Sequence, residues 1–333
     1  MQFLSYVLFQ LDEARRYIQD GRLQHLRLAF LLLDNAVEIQ MDRRIKEDLQ
    51  HDELKERLRN NVLLLASQTQ LPLQLQELID WMPLTRSEKF KLDRYFDEKV
   101  AYMVGRGGHL DASLVGPLKH LHKYRNEAYH RAKIRPETIR TATLILLEIN
   151  CQMLLTVSPG ARSMSSGEDY SWLEERFHAK FFLSDTQLQS IVDEIRSGLL
   201  PSDEAVAGTL ADHLRDRFSD LDDSLDFVVK NGGRANDKEA ALTDSQYYAE
   251  IQRSGGQSQP PAAVPFLPKY SLRSIQELEG RLPQVRGAPG RLDAFDRFAA
   301  VERQLEPVEE CVYEIVRRID EAIQLAIDIA RGK

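Results

Sequence analysis

The 333-residue chain has a formal net charge of −8, with 43% hydrophobic and 29% charged residues, as expected of a soluble globular protein with two or three domains. No apolar run approaches the roughly 18–20 residues of a membrane span, and no basic residues precede the apolar start as in a secretory signal. Cys151 and Cys311 lie far apart in apolar helical patterns, which is typical of buried free thiols in a reducing compartment. The composition therefore predicts a cytoplasmic protein without a membrane segment.

The charge is unevenly distributed along the chain. Residues 1–158 hold 23 Lys and Arg against 21 Asp and Glu, a net of +2, whereas the remaining 175 hold 21 against 31, a net of −10. Between Gly116 and Arg135, six basic residues face the single acid Glu127, a local net of +5. Such a run is most often a solvated face, and the alternative is a surface for a polyanion such as nucleic acid.

Helical periodicity dominates the first half of the chain. Apolar residues recur at three- and four-residue steps up to Gly21, which ends the first helix. Further helices are predicted at 22–49, at 53–67 and between Pro72 and Pro83.

The helical pattern continues beyond Pro83. Thr85 or Ser87 can cap a helix through 90–104, and the glycine-rich segment 105–117 reads as a loop. An apolar helix then starts at Pro136. Since no strand-like alternation of useful length occurs, the sequence predicts an all-α fold.

Composition shifts predict four regions. These are an up-and-down helical bundle at 1–158, an acidic helical region at 159–230, a flexible linker at 231–270 and C-terminal helices at 271–333. The last helix carries an apolar seam at 308–329 for a partner helix, in the same chain or another. The acidic run at 203–226 is a solvated helix face or a cover that competes with RNA for the basic surface.

The segment from Leu121 to Arg131 holds the parts for cleaving RNA without a metal. Histidine has an ordinary pKa of about 6.5, so His130 can take or give a proton at neutral pH. Arg125 is a planar cation that can grip a phosphate and offset transition-state charge. Asn126, four residues before His130, lies on the same helix face and can orient the imidazole or a phosphate oxygen. RNA supplies the nucleophile, its 2′-OH.

Neighbouring polar residues complete the predicted site. Asp34 and Asn35 lie beside an apolar stripe and need partners if buried, and Arg125 is an attractive one. Glu127 is a further supporting candidate, as a second base or as an ion-pair partner of Arg131. Four cations would hold the RNA backbone with little sequence preference, namely Lys119, Lys123, Arg131 and Lys133.

The Arg-Asn-x3-His segment resembles the signature of the HEPN superfamily, in which the motif opens the last core helix. The stretch at 32–41 is similar to the family's long second helix, and 95–103 is similar to the helix before the loop. The resemblance covers about residues 1–158. It implies a helical bundle with metal-independent endoribonuclease activity in a homodimer. The roles known in the family are those of toxins, anti-phage effectors and RNA-processing enzymes. Some members have lost catalysis and only bind.

One position departs from a subgroup of that family. HEPN toxins that a partner nucleotidyltransferase silences have a Tyr two residues after the His, where this chain has Ala132. The sequence therefore does not favour that toxin–antitoxin type, although an antitoxin or regulatory protein partner is still possible. One imidazole cannot easily be both base and acid in one step, so a two-fold dimer that pairs two copies of His130 is expected.

Three functions stay open: an RNA endonuclease, a catalytically silent module that binds nucleotide or nucleic acid, and a helical interaction protein. His109, His120 and His122 lie near His130 in the sequence and could suggest a metal site. However, no cysteine joins them, and His120 and His122 are two residues apart, so they do not lie on the same face of a helix. We therefore expect no metal and no cofactor. The intact Arg125–His130 pair favours the endonuclease.

Overall fold

The computed structural model describes residues 2–66, 73–130, 136–157, 170–179, 183–232, 235–253 and 266–331. Throughout these ranges every regular element is a helix, which confirms the all-α prediction. The chain divides into two compact units, Met1–Pro201 and Ser202–Lys333.

The first unit consists of nine α-helices within the described ranges and one short 3-10 turn, Ala112–Leu114. In chain order the helices are α1 (Gln2–Asp20), α2 (Leu23–Ala66), α3 (Leu73–Asp80), α4 (Arg86–Arg94), α5 (Phe96–Val104), α6 (Val115–His130), α7 (Pro136–Thr156), α8 (Ser171–Phe177) and α9 (Asp185–Arg196).

The ends of these helices follow local chemistry. Gly21 ends α1 with φ +74, a backbone conformation that side chains disfavour. Thr85 caps α4 through a capping box with Glu88, whose carboxylate accepts from the Thr85 N–H at 2.7 Å. Pro136 opens α7.

Two helix predictions were wrong. The predicted helices at 22–49 and 53–67 are one continuous helix, α2, whose interior contains neither glycine nor proline. The predicted single helix through 90–104 is broken at Tyr95, which is extended (φ −112, ψ 121). Tyr95 ends α4 and starts α5, and the change of direction buries Phe96.

The core of this unit lies where α2 packs between α1 and α7. The buried side chains include Leu8, Phe30, Leu33 and Ile149. Asn150 is fully buried in α7, donates to the Leu33 carbonyl at 3.0 Å and accepts from Gln40 at 2.9 Å. Since a buried amide must keep such partners, these bonds fix the register of α7 on α2.

The helix α7 is also the one described segment long and apolar enough to cross a membrane, at Thr138–Thr156. It is 78% buried within the structure, as is typical of a central core helix.

The division into units differs from the predicted boundaries. Helices α8 and α9 belong to the first unit, where Trp172 donates to Ser5 at 3.0 Å and Arg176 contacts Asp12 at 3.0 Å. The predicted linker at 231–270 contains a helix at Lys238–Arg253, and residues 254–265 lie outside the described ranges.

The second unit consists, within the described residues, of five helices. These are α10 (Asp203–Asn231), α11 (Lys238–Arg253), α12 (Leu272–Glu279), α13 (Leu282–Arg286) and α14 (Arg291–Ala330). Phe295 and Phe298 of α14 are fully buried against α10 and its neighbours. Arg217 of α10 binds Glu302 and Glu309 of α14.

The apolar seam predicted on α14 is divided between two environments. Val308 and Val312 are buried inside the second unit. Ala322, Ala326 and Ile329 are exposed, and Ile329 retains 66% of its accessible surface. The first part of the seam therefore packs within the chain, and the second leaves an apolar helix surface in solvent.

Candidate active site on the first helical unit

The predicted motif lies at the C-terminal end of α6, which ends at His130. The family resemblance had placed it at the start of the following helix, so this placement differs from the expectation. Leu118, Leu121 and Tyr124 bury the inner face of α6, and Arg125 lies at the edge of that face with its side chain 33% exposed.

Several predicted site residues fall outside the described set. Arg131 and Lys133 lie in the undescribed segment 131–135, and the side chains of Asn126, Glu127 and His130 are not described although their backbone is helical. The predicted roles of these five residues remain predictions.

Arg125 contacts two carboxylates of α2. Its Nε lies 2.9 Å from Oδ2 of Asp34, and its Nη2 lies 3.8 Å from Oε1 of Glu38. The Nε–H is not aligned for a hydrogen bond despite the short distance, so the contact with Asp34 is an ion pair rather than a fork of hydrogen bonds. Asp34 is 4% exposed, and its charge therefore needs these cationic partners.

His122 completes the same cluster from one turn earlier on α6. Its Nδ1 lies 3.0 Å from Oδ1 of Asp34 and 3.7 Å from Oε1 of Glu38. Its ring stacks on Phe96 with the centroids 3.8 Å apart and the planes at 5°. Asp34 thus holds His122 and Arg125 on its two oxygens, which fixes the position of the arginine.

Sequence reasoning did not assign His122 to the site. The available signal was spacing, because His122 and Arg125 are three residues apart on α6, and Asp34 and Glu38 are four apart on α2. Two such pairs on facing helices bring four polar groups together.

Asp34, Glu38 and His122 are also the described residues that could hold a metal. One ligand atom from each lies within 4.8 Å of the others. Arg125, however, already contacts both carboxylates, so a divalent cation there would lie beside a guanidinium of like charge. The chemistry of this donor set fits an ion-pair cluster better than a metal centre.

The other predicted residues are dispersed. Asn35 donates to Gln10 of α1 at 3.2 Å, on a different side of α2 from the Asp34 cluster. Lys123 is exposed, and Lys119 lies one turn before it, with its Nζ 4.0 Å from Asp97. The two lysines share a face of α6 on which a polyanion could bind.

Acid–base pairs continue along α2 beyond this cluster. Lys99 of α5 lies 2.7 Å from Asp42. In the loop after α5, His109 lies 2.6 Å from Asp48, and Arg106 lies 3.1 Å from Asp52. Together with the Asp34 cluster, these pairs fasten α5, its loop and α6 along α2.

Comparison of the chain with known protein families, with curated proteins and with solved structures gives no match. The assignment of function therefore depends on the residues and their geometry.

Proposed function

We propose that the first unit is a metal-independent endoribonuclease of the HEPN type. The observation that carries the proposal is the fixed position of Arg125, which Asp34 holds five residues before a histidine at the end of the same helix. A cation fixed in advance at a phosphate lowers the barrier without reorganisation during the reaction. The flanking Lys119 and Lys123 would bind the RNA backbone.

In the proposed reaction the 2′-oxygen of RNA attacks the adjacent phosphorus, and the bond from phosphorus to the 5′-oxygen breaks. One histidine takes the 2′-OH proton and another gives a proton to the leaving 5′-oxygen. Arg125 offsets the charge on the phosphoryl oxygens. The products are a 2′,3′-cyclic phosphate and a free 5′-OH, so atoms and protons balance without a cofactor.

The two histidines would come from two copies of the chain. Arg125 and His130 are about 140° apart around an ideal helix, so one protomer presents an incomplete site. A two-fold homodimer would bring two copies of each residue to one phosphate. The exposed apolar surface at the end of α14 offers a second contact for such a dimer.

A cytoplasmic toxin or anti-phage effector is the role we propose for this activity, with RNA as its target. An antitoxin or regulatory protein would then be needed to restrain it in the host cell.

The test is cleavage of a single-stranded RNA by the purified full chain in excess EDTA, with analysis of the product ends. We expect activity with cyclic-phosphate or 3′-phosphate ends. His130→Ala should lower the rate by about 10²–10⁴-fold while RNA affinity stays near that of the wild type. His25→Ala, at the start of α2, is the matched control and should cut normally. Products with 5′-phosphate ends, or activity that requires added metal, would contradict the mechanism.

A second candidate function is a catalytically silent module that binds RNA. The charge of the cluster argues against catalysis there, because Asp34 and Glu38 together offset the single positive charge of Arg125. RNA would then bind through Lys119 and Lys123. Unchanged RNA with clear binding, in both wild type and His130→Ala, would favour this candidate.

A further inference from the structure

A second polar cleft lies on the first unit, where the loop after α5 meets α2 and the segment after α3. It has a volume of about 460 Å³. Its walls combine aromatic and charged side chains, including Lys55, Trp81, Tyr102, Arg106 and His109. None of these residues belongs to the Arg125 cluster.

Local structure fixes the shape of the cleft. The Gly107 N–H donates to the Tyr102 carbonyl at 2.8 Å, and the His109 N–H donates to the Met103 carbonyl at 2.7 Å. A Cβ on Gly107 would lie 2.8 Å from the His109 ring and 3.1 Å from the Tyr102 carbonyl oxygen, so only glycine fits without a shift. The loop therefore holds its side chains at the rim of the cleft in defined positions.

The carboxylates of the cleft are already paired. Asp48 lies 3.3 Å from Arg44 Nε and 2.6 Å from His109 Nε2. The same Nε2 atom of His109 also lies 3.0 Å from Arg44 Nε. One ring nitrogen cannot both accept from Arg44 and donate to Asp48, and the shorter His109–Asp48 distance favours donation to Asp48. Asp52 is paired with Arg106.

The charges left over in the cleft are positive. Both hydrogen bonds of Arg106 use Nη2, to Asp52 at 3.1 Å and to the Met82 carbonyl at 2.8 Å, which leaves Nη1 without a described acceptor. Lys55 has no ion pair with the residues that the structure describes, and its Nζ lies 5.9 Å from the Trp81 ring centroid. The Arg106 guanidinium lies 5.6 Å from the same centroid. Two cations that have capacity for an anion thus lie near one indole ring.

Burial raises the pKa of Tyr102 to about 12, with further contributions from the charges of Asp48 and Asp52. A tyrosine is neutral at physiological pH even without this shift, and the Tyr102 O–H donates to Asp48 at 3.4 Å, so the phenol adds no negative charge to oppose an anionic ligand. Met82, which is 70% exposed, adds an apolar contact beside Trp81.

We propose that this cleft is a nucleotide-binding site, with the base against Trp81 and the phosphate at Lys55 and Arg106. A planar, polarisable ring and a phosphate are the two groups that these residues match. The same chemistry occurs in a nucleotide of an RNA strand and in a free nucleotide. For an RNA origin the inference rests on the proposed function.

The spacing along α2 sets the distance that a strand would span, over the outer side of α5, to reach both sites. Asp34, Glu38, Asp48 and Asp52 follow one stripe of the helix with the buried Met41 and Ile45. Glu38 and Asp48 are ten residues apart, or about 15 Å along the helix, which corresponds to about four stacked nucleotides. A nucleotide bound at Trp81 would then lie a few positions from the phosphate at Arg125.

Tryptophan fluorescence tests the inference directly, because the chain has two tryptophans, Trp81 and Trp172. Trp172→Phe leaves Trp81 as the reporter, and phenylalanine can keep the contacts of that ring with Phe9 and Phe177. This protein is titrated with AMP and with a 2′-O-methylated RNA hexamer, whose blocked 2′-oxygen prevents the proposed cleavage. We expect saturable quenching.

Variants identify the phosphate contacts. Lys55→Gln and Arg106→Gln should each raise the Kd obtained from the quenching titration about tenfold. Arg86→Gln, an exposed arginine on α4 outside the cleft, is the matched control and should leave it unchanged. Because Arg106 also holds the loop, the Lys55 variant carries the result if Arg106→Gln lowers stability.

AMP and the RNA hexamer distinguish a free nucleotide from a nucleotide within an RNA strand as the natural ligand. Quenching by the hexamer alone supports a nucleotide within a strand, and quenching by AMP supports a free nucleotide. Absence of quenching by both ligands, or quenching that Lys55→Gln leaves unchanged, would overturn the inference. Cleavage by the wild type in EDTA is measured separately, so loss of this site and loss of the proposed activity give different results.

Discussion

The Arg125 cluster and the Trp81 cleft occupy the same stripe of α2 but balance their charges differently. In the cluster, one nearly buried carboxylate and a second beside it offset the arginine, and the histidine stacks on Phe96. In the cleft, both carboxylates are paired, and Lys55 and part of Arg106 are left over. The first arrangement fixes side chains in position, whereas the second offers charge to a ligand.

This difference suggests that the Arg125 cluster positions a reacting phosphate and that the Trp81 cleft contributes to affinity. A cation whose charge is offset by the nearly buried Asp34 and the half-buried Glu38 contributes little to affinity but can be placed accurately at a reacting phosphate. Cations that keep unused hydrogen-bond donors beside an aromatic ring contribute to affinity and tolerate many base sequences. Variants that act on one region and spare the other therefore test the comparison.

Among substitutions outside the predicted catalytic histidine, the largest effect should come from Asp34→Asn. Loss of its charge leaves Arg125 and His122 with the more distant Glu38 as their shared carboxylate, and we expect the cleavage rate to fall by about a hundredfold, as for a misplaced catalytic group. The free energy of unfolding should fall by about 1–3 kcal/mol, measured by urea denaturation. Asp193→Asn, which breaks the exposed ion pair with Arg196 on α9, is the control and should change both quantities much less. Equal effects of the two variants would remove the special role of Asp34.

A second test concerns the incomplete site of one protomer. If two copies of His130 meet at one phosphate, wild type mixed with a threefold excess of His130→Ala should form few fully wild-type dimers. Random pairing predicts activity about fourfold below the value that dilution alone would give. The measurement is the cleavage rate after subunit exchange, beside size determination by light scattering. A monomer with full activity at the working concentration would disprove the shared site.

The sequence predicted the helix class and several helix ends but not the composition of these two regions. Gly21, Thr85 and Pro136 mark helix ends through local backbone chemistry, which sequence shows directly. No glycine or proline marks the break at Tyr95. The break coincides with the burial of Phe96, whose ring stacks on His122 of α6, and this tertiary contact is not visible in the sequence.

The site was predictable to the same limited degree. The pairing of Asp34 with Arg125 was anticipated because a carboxylate beside an apolar stripe needs a cation. The Trp81 cleft was not, because it joins side chains from three distant segments of the chain. Only the packing of the loop after α5 on α2 brings Trp81, Arg106 and Lys55 together, and no local spacing encodes that contact.

A smaller effect is expected from the lysines on the outer face of α6. Lys119→Ala combined with Lys123→Ala should weaken RNA binding at low salt and reduce the slope of log affinity against log salt by about 1.4, or about 0.7 for each lost phosphate contact. Arg86→Ala with Lys91→Ala, at two exposed positions of α4, is the charge-matched control. Fluorescence anisotropy of a labelled RNA measures the slope. An unchanged slope would assign binding to other cations, with Lys55 and Arg106 as the next candidates.

The smallest effect at neutral pH is expected for Tyr102, whose substitution should change the stability of the folded chain in alkaline solution. The pKa of Tyr102 is raised to about 12 in the folded chain by burial and by Asp48 and Asp52, against 10 for a free tyrosine. Above pH 10 the unfolded chain releases this proton before the folded chain does, so the folded state loses stability as the pH rises from 10 towards 12. Tyr102→Phe removes this contribution, and its Tm should fall less steeply than that of the wild type across this range. Tyr95→Phe, at a side chain that is 54% exposed, controls for the loss of a phenol. Parallel Tm curves for wild type and Tyr102→Phe would show that burial and the two aspartates do not raise the pKa of the phenol.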